Sequence, residues 1–81
     1  MRELRNYGIY QPPGTPRRVV AVPNGAGYFL YDYVYFTALP PRFEVKMDGS
    51  VLDWHLEPTG WDADDLLDTG ETLDHKREQD A

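Results

Sequence analysis

The chain has 81 residues, no cysteine and a net charge of −6. One small domain is the most that length supports, and no disulfide or cysteine zinc site reinforces it. The charge is unevenly spread: five basic side chains face two acids up to Phe43, whereas three face twelve from Glu44 onward. Seven acids and no base lie between Glu57 and Asp74, a field that disfavours nucleic acid as partner. Aspartate outnumbers glutamate nine to five, a bias consistent with a high-GC or salt-adapted source and not itself a sign of an activity. No apolar run is long enough for a leader or a bilayer span, so a soluble cytoplasmic protein is expected.

Residues 1–16 read as an N-terminal arm with a short edge strand near "YGIYQ", because "QPPGTP" suits a turn or extended chain. A β-rich domain is expected over 17–70 and a disordered acidic and polar tail over 71–81. "RVVAV" is β-branched and predicts a strand running into the hairpin signal Asn24-Gly25. "YFLYDYVYFT" then predicts a strand about ten residues long, closed by Pro40 and Pro41. Its alternation places Phe29, Tyr31, Tyr33 and Tyr35 on one side and Tyr28, Leu30, Asp32, Val34 and Phe36 on the other. Both sides are bulky, which marks a covered central strand. Asp32 then needs a partner, and Arg17 or Arg18 on the neighbouring strand is placed to supply it, unless a bulge turns the carboxylate outward.

"RFEVKMDGSVLDWHLEP" predicts a hairpin with Asp48-Gly49 as a two-residue turn. That register opposes Val45 with Leu52 and Phe43 with Trp54. It gives one apolar face of Phe43, Val45, Met47, Leu52, Trp54 and Leu56, and leaves Val51 on the solvent side. Beyond it, Asp62 and Asp65 have the spacing of a capping box, Trp61 can staple onto Leu66, and Gly70 suits a helix stop. A short helix over about 62–69 is expected. The fold class is therefore mainly β (α+β), a small antiparallel sheet of 3–5 strands, curled or barrel-like, with that one C-terminal helix.

Few residues carry chemistry. "LLDTG" (66–70) resembles the catalytic motif of the retroviral aspartic proteases, in which aspartates from two such motifs share a proton and activate water. That family needs a strand before the motif and a long stretch after it. Here "DADD" precedes it and eleven mostly polar residues follow Gly70, so the helix stop is preferred. The acids after Asp62 lack the spacing of an EF-hand, and His55 and His75 have no nucleophile or metal-ligand spacing around them. No catalytic, metal or cofactor site is expected. The expected role is a non-enzymatic interaction or regulatory protein, using Tyr31, Tyr33, Tyr35 and Asp32 or the acids Asp62, Asp64 and Asp65. The partner would be a protein, either another chain or a second copy in a homodimer. Two alternatives are a small-molecule binder or small enzyme with an aromatic pocket around Asp32, and an acidic mimic of nucleic acid.

Overall fold

The computed structural model describes residues 3–36 and 38–73. Seven strands form one antiparallel sheet: β1 (Gly8–Gln11), β2 (Val19–Pro23), β3 (Gly27–Asp32), β4 (Phe43–Lys46), β5 (Ser50–Asp53), β6 (Pro58–Asp62) and β7 (Leu67–Thr72). Their order is β6-β5-β4-β3-β2-β1-β7, so β1 lies between β2 and β7. Consecutive strands pair as a meander until β7, which returns to β1. The two edge strands, β6 and β7, are thus neighbours in sequence and opposite in the sheet. Only Ala63–Leu66 joins them, a tether of roughly 18 Å at full extension from Asp62 to Leu67. A flat seven-stranded sheet is wider than that, since strands lie about 4.8 Å apart. The sheet curls into a half-barrel.

The core fills the concave side. Tyr10, Val19, Ala21, Leu30, Val45 and Val51 are buried there, with Tyr28, Phe43 and Trp61 packed against them. Leu4 from the N-terminal segment and Ala63 and Leu66 from the tether complete the cluster. The convex side is partly covered too. Ile9 and Val20 are buried and stand in register with Tyr31, whose ring meets Phe29 and Phe36 edge-on. β3 is accordingly a central strand covered on both faces, as its composition implied.

Three expectations are corrected. The sheet has seven strands, not three to five. The helix over 62–69 is a single 3-10 turn, Ala63–Asp65, followed by a strand. Its capping box does form, with the Asp62 and Asp65 carboxylates each receiving a backbone N–H. Helix propensity over two turns is weak, and the paired edge of β1 captures Leu67–Thr72 instead. Gly70 is part of that strand and stops no helix.

The third correction is the hairpin register. Phe43 pairs with Asp53, Glu44 with Leu52 and Val45 with Val51, one residue away from expectation. The loop has three residues, Met47-Asp48-Gly49: Gly49 N–H donates to the Lys46 carbonyl at 2.9 Å, and Gly49 takes φ 93°. A type I turn followed by a left-handed glycine is the usual plan for a three-residue hairpin loop. With that slip Val51 moves into the core, while Met47, Trp54 and Leu56 move to the surface. Likewise β3 ends at Asp32, five residues before the expected end; Thr37 lies outside the described residues. Of the tail expected over 71–81, Glu71 and Thr72 belong to β7, and residues 74–81 lie outside the described residues.

Candidate functional site

The aspartate bias has a local structural use. Asp48 accepts the N–H of Ser50, Asp53 those of His55 and Glu57, Asp62 that of Asp64, and Asp68 that of Gly70. Asp65 accepts the N–H of Asp62, and Asp32 those of Val34 and Tyr35. A short carboxylate that bonds backbone two to four residues away is what turns of this kind require, and glutamate is too long for it.

One of these turns builds a cleft. Asp32, the last residue of β3, points inward and is 2% exposed. Its Oδ1 accepts from Val34 N at 2.8 Å and Tyr35 N at 3.1 Å, folding residues 33–36 back from the sheet. Its Oδ2 accepts from Arg17 Nε at 2.7 Å, the partner the sequence implied. Arg42 Nη1 stands 3.7 Å from the same oxygen, an ion pair without a hydrogen bond, and is buried with no acceptor among the described residues. Arg17 holds the Asp32 carboxyl below its ordinary range, aided by the two backbone N–H groups and opposed by burial.

The chain after Asp32 is shaped by its own chemistry. Ala38 and Leu39 N–H groups both donate to the Tyr35 carbonyl, and Pro40-Pro41 then holds an extended approach to β4. Across from this loop lies the β5–β6 turn. Between them sits a cleft of about 470 Å³ lined by Arg17, Asp32, Tyr35, Leu39, Pro40, Pro41, Arg42 and Trp54. Among the described residues, five of the seven exposed large hydrophobics fall on these two segments: Val34, Tyr35, Leu39, Trp54 and Leu56. Trp54 is 66% exposed and its ring meets that of His55 at a tilt of 40°, with centroids 4.1 Å apart.

The tyrosines do not form one face. Tyr31 is half-buried on the convex side. Tyr33 lies under the Arg18 guanidinium at 4.7 Å, and Tyr35 lies beside Arg17 at 5.6 Å and opens onto the cleft. Asp62, Asp64 and Asp65 belong to the 3-10 turn, which is tied to the β4–β5 turn through Ala63 N–H and the Gly49 carbonyl. They sit at the opposite end of the sheet from Asp32. The expected site residues therefore divide into two groups. Arg42, Leu39, Pro40, Pro41 and Trp54 were not among the site residues expected from the sequence; the Pro-Pro-Arg run was the available signal.

Asp68 of the "LLDTG" stretch is held by Arg5, whose Nη2 and Nε reach its two oxygens at 2.6 and 3.1 Å. That bidentate pairing suits a structural carboxylate and leaves no geometry for a shared proton. Among the described residues no cluster of three or more His, Asp or Glu is arranged to hold a metal, and no helix is long and apolar enough to cross a membrane. No family model matches the chain, and no curated protein or solved structure matches it at a significant level.

Proposed function

We propose that this is a non-enzymatic protein-binding domain whose docking surface is the end of the sheet formed by residues 33–36, 38–42 and 54–56. The observation that carries this reading is the convergence of the exposed Tyr35, Leu39 and Trp54 with Arg17 and Arg42 on one cleft, with Val34 and Leu56 exposed on the same two segments. Tyrosine, tryptophan and arginine are the residues that dominate binding energy at protein interfaces, and lysine and glutamate are depleted there. Among the described residues no lysine or glutamate lines this cleft. Contiguous exposed apolar surface of this kind marks an interaction site.

The cleft's volume also falls in the range of small-molecule pockets, which favours a second reading, a pocket for a small ligand. An enzyme centred on Asp32 has less support. Its carboxylate is buried, receives three hydrogen bonds and is shifted away from the range of a general acid or base at neutral pH.

The test is a quantitative capture experiment with immobilised wild type, Trp54→Ser and, as control, Met47→Ser, an exposed apolar residue on the opposite turn. Proteins retained by wild type and by the Met47 variant but lost from the Trp54 variant are the expected result. Identical retention by all three would overturn the reading.

A further inference from the structure

The cleft holds more positive charge than its carboxylate neutralises. Both Asp32 oxygens are committed, Oδ1 to two backbone N–H groups and Oδ2 to Arg17 Nε. Arg42 is left at 3.7 Å with a buried Nη1 that has no acceptor among the described residues. Two guanidiniums against one carboxylate leave one net positive charge, and the rest of the lining is aromatic, leucine and proline. A cation beside apolar walls attracts a counter-charge, and the Arg42 side chain, 36% exposed, is open to one from solution.

We infer that the partner supplies that counter-charge as a glutamate side chain flanked by large apolar residues, the carboxylate pairing with Arg42 and the apolar neighbours lying against Trp54, Tyr35 and Leu39. This inference rests on the docking reading above. One uncompensated charge matches a carboxylate better than a phosphate dianion. The net charge of −6 further disfavours nucleic acid. A second copy meeting this surface face to face would oppose Arg17 and Arg42 to their own counterparts. A glutamate also suits the shape of the site. Both guanidiniums line the cleft beside its apolar residues with side chains 36–47% exposed, and a carboxylate on a methylene stem can reach them past that apolar lining.

The experiment uses two terminally blocked peptides, acetyl-Leu-Glu-Phe-amide and acetyl-Leu-Gln-Phe-amide, titrated into the wild-type protein while the Trp54 indole N–H is followed by NMR. The glutamate peptide should shift that signal saturably and bind about tenfold more tightly than the glutamine peptide, in line with a lost charge-assisted hydrogen bond. Added salt should narrow the gap. Arg42→Gln should abolish the preference, with Arg42→Lys restoring part of it. Equal binding of both peptides, lost in Trp54→Ser, would overturn the carboxylate inference and leave the docking reading standing. A response to inorganic phosphate or a nucleotide alone would overturn it in favour of a phosphate ligand. No response to either peptide at millimolar concentration would overturn it outright. The glutamate–glutamine comparison is made on wild type, so it does not depend on any variant folding.

Discussion

The turns at 47–49 and 54–56 share one backbone plan and carry opposite contents. Three residues separate β4 from β5 and four separate β5 from β6, and in each link the third N–H donates to the carbonyl three residues back, Gly49 to Lys46 and Leu56 to Asp53. In each, an aspartate side chain accepts backbone N–H groups of the turn. In each, the third residue has positive φ, 93° at Gly49 and 65° at Leu56. Gly49 meets that demand without strain, is buried, and offers its carbonyl to Ala63. Leu56 meets it at a cost of about 1–2 kcal/mol, since its Cβ crowds the backbone there. It is also 67% exposed, so burial does not offset the cost. One turn is built to close the half-barrel, and the other is built at some expense to hold an apolar residue out in solvent. Strain of that kind persists where the surroundings have a use for it, which accords with the docking surface proposed for this end.

Mutations sharpen the contrast, beginning at the closed end. A Cβ on Gly27 would overlap the Val45 carbonyl, which is backbone and cannot give way. Gly27→Ala is therefore expected to cost about 3–4 kcal/mol in urea denaturation, the largest effect of the set. At the cleft end the one comparably sensitive residue should be Asp32. Asp32→Asn leaves Arg17 and Arg42 without their carboxylate and should cost about 2–3 kcal/mol at pH 7. Because the folded state holds this carboxyl below its ordinary value, its contribution is complete above about pH 4 and fades as pH falls through the lower, folded value. Wild type should thus lose stability on acidification below pH 4, and the Asp32→Asn variant should lose less over the same interval.

Smaller effects come from the turns themselves. Gly49→Val should cost about 2 kcal/mol, because a β-branched residue resists positive φ. Leu56→Gly should move the other way and stabilise the protein by about 0.5–1 kcal/mol while weakening partner capture. A destabilised Leu56→Gly would break the comparison, since it would mean that Leu56 supports folding and is not held out at a cost.

Much of the sheet was legible because local chemistry and tertiary packing agree there. β2, the start of β3 and the Asp48-Gly49 hairpin follow from β-branched runs bounded by turn residues. The Arg17–Asp32 pair followed from the cost of a buried carboxylate. The register failed because an Asp-Gly pair serves both a two-residue and a three-residue loop, and maximising apolar alternation chose the wrong one. Val51, the lone apolar residue on the supposed solvent face, was the clue: it is core. β7 was hidden for a different reason. Leu67–Thr72 has the composition of a turn, and it becomes a strand only because β1 presents an open edge to it. The cleft was invisible for the same reason, since it forms where segments apart in sequence converge.

Both edge strands also share a device. Thr59 and Thr69 each donate their hydroxyl to the neighbouring strand's carbonyl, Val51 and Ile9, and each accepts the N–H two residues on. Register irregularities accompany both, and such interruptions blunt an edge against pairing with other chains.

The β1–β7 pairing sets a timetable. Every other ladder joins strands that follow one another in the chain, whereas this one brings Gly8 to Thr72 and Gln11 to Leu67. Closing so long a loop is slow relative to forming hairpins, so β7 is expected to dock last and to open first. Amide exchange should then be faster in β7 than in β3. A ribosome emitting roughly 5–20 residues per second leaves the free edge of β1 waiting several seconds for its partner. During that interval the nascent chain carries an unblunted strand edge, and a β7 supplied by a neighbouring nascent copy would fit it as well as its own.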